Sequence, residues 1–170
     1  MWWLLDALFP PRTDEMVLRS VSIDAFLALV APRVVPETRP ATVALLAFSD
    51  SRVRSAIHEA KYHGSEYAFS LLASALAEYL RDADDVGRRT SHIVIVPVPL
   101  GRQRRKERGF NQVEEVARRA AKQLGSTVDA SLLERTRETA SQVSLAREKR
   151  EENMRDAFTA SLKLRSAGTK

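Results

Sequence analysis

Arg102, Arg104, Arg105, Lys106 and Arg108 stand close together, with Glu107 as the single acid among them. Guanidinium groups present planar forks of donors that match phosphate oxygens, so this cluster suits a phosphate-type anion. The stretch 97–112 holds five basic residues and one acid, a local charge of +4 in a chain whose net charge is +5. Concentrated positive charge points to a phosphate-rich partner: a nucleotide, a pyrophosphate or a nucleic acid. The same charge also suits a merely solvated loop.

The residues around the cluster say how it is positioned. Ile93-Val94-Ile95-Val96 reads as a strand buried on both faces, because no polar residue interrupts it. Pro97 and Pro99 offer no backbone donor and stop the ladder. A basic loop follows, Gly109 ends it, and a helix opens near Phe110. Strand, tight turn, basic loop and helix together form an anion site at the carboxyl end of a strand in α/β proteins.

Other chemistries are poorly served. With no cysteine, the chain makes no disulfide and no thiolate metal site, which fits a reducing cytoplasm. His58, His63 and His92 are scattered and are read as non-ligands, so no metal site is expected. Met1 to Phe9 is apolar, but Asp6 interrupts it and Pro10-Pro11 end it. It makes a poor signal peptide and is too short to span a bilayer. It reads as a helical turn packed on the domain, or as a surface anchor through Trp2 and Trp3.

Residues 10–40 carry five prolines and read as irregular, with a short helix at 23–30. Thr42 to Phe48 suits a strand, and Ser49, Asp50 and Ser51 are good helix caps. Val53, Ala56, Ile57 and Ala60 mark one helical face, which Lys61-Tyr62-His63-Gly64 closes. A second helix over 66–81 has a stripe of Phe69, Leu72, Ala73, Leu76 and Leu80. A polar loop with Asp82, Asp84, Asp85 and Gly87 precedes the central strand. The helix after Gly109 places Phe110, Val113, Val116, Ala117, Ala120 and Leu124 on one face. Glu114 with Arg118 and Glu115 with Arg119 pair on the other, and Gly125 caps the end. Asn111 can cap the free amides at its start. Thr127 to Leu133 reads as a weaker strand, 134–145 as a mobile loop, and 146–153 as a charged helix. A last strand over 156–164 and a frayed tail complete the chain.

Four stretches resemble the ComF family, proteins of type I phosphoribosyltransferase fold associated with competence and DNA uptake. They are Leu4 to Arg12; Val53-Arg54 through Lys61-Tyr62-His63-Gly64; Val96-Pro97-Val98-Pro99-Leu100 with Arg105 and Glu107 to Gln112; and Arg135, Thr139, Gln142, Leu145, Arg150, Asn153 and Ala157-Phe158. The resemblance implies an α/β fold with a mostly parallel, Rossmann-like sheet flanked by helices. It divides the chain into an N-terminal segment, 1–40, and a partial phosphoribosyltransferase-like domain, 41–170. Val98, Pro99, Leu100 and Gly101 would form the pyrophosphate loop, with Arg102, Arg104, Arg105 and Arg108 supplying charge beside it. Lys61, Asn111 and Gln112 join them as ligand-binding residues. Arg135, Thr139, Gln142, Arg150 and Asn153 would belong to a flexible loop that closes over the sugar phosphate and keeps water from an oxocarbenium-like centre.

The chain departs from that family twice. The paired cysteines of the family's small zinc ribbon are replaced by Thr13, Asp14 and Glu15. The two acids and Thr-Thr-Gly turn that hold ribose 5-phosphate have no counterpart. The expectation is therefore a phosphoribosyltransferase-type protein that is inactive as this chain alone, incomplete at its C-terminus and located in the cytoplasm. Magnesium would arrive with phosphoribosyl pyrophosphate if the missing motif were supplied. Two alternatives remain open. One is a basic accessory protein that contacts nucleic-acid phosphates. The other is a pseudo-enzyme whose sheet is completed by another chain.

Overall fold

Single alanines spaced between larger apolar residues favour helix over Glu66–Asp85, the longest described element at 20 residues. Ala68, Phe69, Leu71, Ala73, Ala75 and Ala77 are all buried along it. Small side chains let neighbouring backbones approach closely, so this helix packs through its alanines as well as through large anchors. The computed structural model describes residues 12–38, 40–85, 93–142 and 145–161. The chain forms two compact units, residues 1–90 and 91–170.

In the N-terminal unit, helix α1 spans Thr13–Arg19 and α2 spans Ile23–Leu27. Strands β1, Arg33–Val35, and β2, Thr42–Ala44, pair antiparallel with Val34 opposite Val43. Helix α3, Ser51–His58, continues into a π-helical turn over Glu59–His63, and α4 is the long helix Glu66–Asp85. Asp50 caps α3 by accepting from the Arg52 amide at 2.9 Å. Gly64 adopts the left-handed conformation, φ 61°, that closes the π turn. Leu18, Val21 and Phe26 join Val53, Ala56, Ala60 and the α4 residues in the core.

Polar contacts fasten α1 to α3. Arg12 donates to both oxygens of Glu59, at 2.9 and 2.7 Å. Glu59 is only 2 % exposed, so this bidentate pair holds its charge in the interior. Ser55 Oγ donates to Asp14 at 2.6 Å, and His58 Nδ1 lies 3.2 Å from the other Asp14 oxygen. The Ser55 hydrogen bond, aided by His58 and Arg54, holds the Asp14 carboxyl below its usual range.

In the C-terminal unit, β3, Val94–Ile95, pairs parallel with β4, Thr127–Val128. Helix α5 is Arg102–Arg108, α6 is Gln112–Leu124, and α7 is Arg147–Met154. Strands β5, Leu133–Arg135, and β6, Phe158–Ala160, pair antiparallel with Glu134 opposite Thr159. Asp156, at φ 55°, turns the chain from α7 towards β6.

These elements overturn the expected fold class. The described strands are two or three residues long and form three separate two-stranded sheets, of which only β3–β4 is parallel. Among the described residues there is no extended Rossmann-like sheet flanked by helices. The physical reasons are local. Pro97 and Pro99 cannot donate, so β3 ends just before them. Beside it, Asp129 continues the contact with one bond to Ile95, then turns its carboxylate onto Ser131.

Other expectations change with it. Ile93–Val96 is not buried on both faces: Val94, Val96 and Val98 are exposed. The basic loop over 102–108 is helix α5, and the following helix begins at Gln112 rather than near Phe110. The short helix expected at 23–30 forms as α2, Ile23–Leu27, while helix α1 and strand β1 add order where irregular chain was expected. The strand at 42–48 shrinks to Thr42–Ala44, and the one at 127–133 splits into β4 and β5. The helix at 66–81 runs on to Asp85, taking up part of the expected polar loop. Both ion pairs on α6 form, Arg118–Glu114 at 2.6 Å and Arg119–Glu115 at 2.5 Å. The readings of residues 1–9, of Gly87 and of the tail lie outside the described residues. No described helix is long and apolar enough to cross a membrane.

Candidate anion-binding site

The turn after β3 is held by one buried side chain. Asn111 accepts from the Val113 amide at 3.2 Å, capping α6, and donates to the Val98 carbonyl at 3.0 Å. It is 4 % exposed, so its own side of both bonds is shielded from water. One residue therefore starts the helix and ties down the Val98–Gly101 turn. Gly101 then precedes α5 in ordinary extended geometry, φ −60°. Its special property is the missing side chain, because a Cβ there would collide with the Glu138 carboxylate.

That carboxylate accepts from the Arg102 amide at 2.5 Å. An anion is thus already seated at the start of α5. The turn and the segment after β5 enclose a cavity of about 580 Å³, whose lining includes Pro99, Leu100, Arg102, Arg105, Arg135 and Arg137. Glu134 and Glu138 are the acids of the lining, so its formal charge is +2.

Arg135 and Arg137 are positioned largely by neutral oxygens. Arg135 donates to the Pro99 carbonyl at 3.4 Å, to the Arg137 carbonyl at 3.1 Å and to the Thr139 hydroxyl. It also lies over the Phe158 ring, 5.2 Å from the centroid. Arg137 donates to the carbonyls of Arg155 at 2.5 Å and Asn153 at 3.2 Å. Burial, followed by the like charges of Arg104 and Arg137, pushes the Arg135 guanidinium below its ordinary pKa, while Glu138 opposes the shift. A guanidinium so displaced from water beside other cations favours an incoming anion.

Among the anticipated ligand residues, Pro99, Leu100, Arg102 and Arg105 line the cavity. Val98 and Asn111 support its turn. Arg104 borders an adjoining hollow of about 260 Å³ with Glu138, Thr139 and Ser141. Arg108 donates to Gln112 at 3.3 Å. Lys61 belongs to the N-terminal unit, where its Nζ lies over the Tyr62 ring.

The anticipated flexible loop is pinned at several points. Asn153 both accepts from the Ala140 amide and donates to the Ala140 carbonyl, each at 3.1 Å. Gln142 reaches the Arg150 carbonyl at 3.4 Å, and Arg150 reaches the Leu145 carbonyl at 3.0 Å. Gln142 Oε1 is buried with no hydrogen-bond partner among the described residues. Such an orphaned acceptor is costly and marks a conformation with something to gain from rearrangement.

The chain is similar to DNA utilization protein YhgH. The Salmonella typhi protein of that name is 35 % identical over 97 residues, which cover 55 % of this chain and 43 % of the relative. The Escherichia coli K12 protein is 34 % identical over 111 residues, covering 62 % of this chain and 47 % of the relative. The chain therefore spans about half the length of the curated relatives it matches. No family model matches it. No solved structure matches it either.

Reasoning from sequence missed Arg137 and Glu138. Arg137 was legible as a further cation in a basic stretch. Glu138 was not, because only the folded turn shows that it sits on the Arg102 amide.

Proposed function

We propose that the C-terminal unit binds a phosphate-bearing ligand of the phosphoribosyl pyrophosphate type, in a protein concerned with DNA utilization. The arginine-lined cavity between the Val98–Gly101 turn and the 135–138 segment carries this reading. Arg102, Arg105, Arg135 and Arg137 supply forks for phosphate oxygens, and the Arg102 amide supplies a backbone donor once Glu138 moves aside. The relatives' name supports a connection with DNA and leaves the chemistry to be tested.

Magnesium accompanies such diphosphates. Among the described residues, no group of three or more acids or histidines is placed to hold a metal. The donors around the cavity are mainly cationic, so they do not fit a metal ion bound by protein alone. Any magnesium would enter with the ligand's own oxygens.

Calorimetric titration of the full chain with pyrophosphate and with phosphoribosyl pyrophosphate tests the proposal. Binding should weaken roughly tenfold or more in Arg102→Ala with Arg105→Ala, the loss expected from removing charge-assisted bonds. Equal affinity in that variant would sink it.

The second reading is direct contact with nucleic-acid phosphates by α5. It is favoured by that helix having no buried residue and by the exposure of Arg102, Arg105 and Lys106. Here the same titrant would bind weakly, while duplex DNA would bind with strong salt dependence.

A further inference from the structure

Phe48, His58 and Tyr62 come together on the surface of the N-terminal unit. The Phe48 and His58 ring centroids lie 6.2 Å apart with an interplanar angle of 62°. Those of His58 and Tyr62 lie 6.0 Å apart at 66°. Edge-to-face contacts of this kind fix ring orientations. Phe48 nevertheless remains 56 % exposed and Tyr62 57 % exposed. One exposed aromatic ring is ordinary on a protein surface, but a cluster of ordered rings is a stronger sign of binding.

The local fold explains the cluster. Phe48 precedes the Asp50 cap, and His58 ends α3. Tyr62 follows four residues later in the π turn, which Gly64 closes. The imidazole of His58 is also anchored by its 3.2 Å contact with Asp14. The central ring of the group is therefore held from both sides and by a carboxylate.

Cations flank the rings. Lys61 Nζ lies 4.7 Å from the Tyr62 centroid. Arg54 is exposed on α3, near enough to Asp14 for its charge to act on that carboxyl. Arg52 is held by Asp50 at 2.6 Å, so its charge is locally offset. The buried Glu59 is likewise matched by Arg12. Ordered, exposed rings beside cations are the features by which proteins take single-stranded nucleic acid. Bases stack on the rings and phosphates meet the cations. A purely apolar partner would have to desolvate Lys61 and Arg54 without compensation.

We propose that Phe48, His58 and Tyr62 form a base-stacking surface for single-stranded nucleic acid, with Lys61 and Arg54 contacting its phosphates. Lys61 then exchanges part of its contact with the Tyr62 ring for a phosphate oxygen. The relatives' name makes DNA the natural probe. This surface is built within the N-terminal unit and does not depend on the arginine-lined cavity.

The test is fluorescence anisotropy of a labelled short oligothymidylate titrated with the full chain, beside an abasic oligomer of equal length. Because the rings are exposed, Phe48→Ala and Tyr62→Ala should leave the unfolding transition nearly unchanged. Each should weaken oligothymidylate binding by about 5- to 100-fold, the range for loss of one stacked base. Tyr62→Phe should retain it. The abasic oligomer should bind the unaltered chain about as weakly as oligothymidylate binds the double alanine variant. Pyrophosphate affinity should be the same in that variant, which separates this surface from the cavity. The proposal is overturned if the unaltered chain does not bind oligothymidylate. It is also overturned if the folded double variant binds as well as the unaltered chain, or if the abasic oligomer binds as tightly as oligothymidylate.

Discussion

Replacing Glu138 by glutamine should tighten the binding of pyrophosphate. In the structure its carboxylate accepts from the Arg102 amide at 2.5 Å and lines the same cavity as Arg105, Arg135 and Arg137. An incoming phosphate must displace this carboxylate or bind beside it. A hydrogen bond to a charged group is worth about 1.5–3 kcal/mol when shielded, and roughly 1 kcal/mol or less where solvent screens it. Glu138 is exposed, so the lower figure applies. Repulsion between the carboxylate and a phosphate about 5 Å away adds roughly 1 kcal/mol in a water-like dielectric. Together these give about 1–2 kcal/mol, or on the order of 5- to 30-fold in affinity. Glutamine keeps the shape and an acceptor for the amide but removes the charge. Titration calorimetry at low salt reads the change, and added salt should shrink it. Equal or weaker binding by Glu138→Gln would refute the reasoning, because the carboxylate would then not compete with the ligand.

Two further outcomes follow from single capping residues. The Arg52 side-chain hydrogen bond, with the Arg52 amide, lowers the Asp50 carboxyl from 3.8 to about 2. Its contribution is therefore present above pH ~4 and lost as pH falls through about 2. Asp50→Ala should cost about 1 kcal/mol near neutral pH by chemical unfolding, and the gap to the unaltered chain should close in acid; a gap that persists there would show that the charge is not responsible. Asn111→Ala should destabilise the C-terminal unit by about 1–3 kcal/mol in thermal unfolding, because it leaves the Val98 carbonyl without its buried donor. Asn111→Asp keeps the cap but not that donor, so it should restore only part of the loss.

The helices were more legible than the sheets. Asp50, Gly64, Asn111 and Gly125 mark helix ends by their own chemistry, and the structure uses all four. The apolar run at 93–96 was misleading for a physical reason. A run of β-branched residues fits a fully buried strand, but burial requires neighbours on both faces, and nothing within the run specifies them. The described residues supply β3 with β4 alone. The loop at 102–108 was misread because its charges dominate the pattern. Arg, Lys, Gln and Glu are all good helix formers, and Gly101 and Gly109 flank a stretch that supports a short helix. The stacking surface was hidden because Phe48 is ten residues from His58, and only the fold joins them.

The way the cavity's arginines are held bears on what they can bind. An arginine locked to a carboxylate presents little net charge to a ligand. Here Arg137 is fixed by backbone carbonyls, and Arg135 by two carbonyls and a hydroxyl. Those partners orient the guanidinium groups without cancelling their charge. Arg135 is also partly withdrawn from water and faces the repulsion of Arg104 and Arg137. An anion entering the cavity meets groups already in place, so it gains Coulombic stabilisation with little further ordering of side chains. The Glu138 carboxylate is the counter-charge that the fold itself brings to that place. On the reading proposed above, its position on the Arg102 amide is the place an external anion would take over.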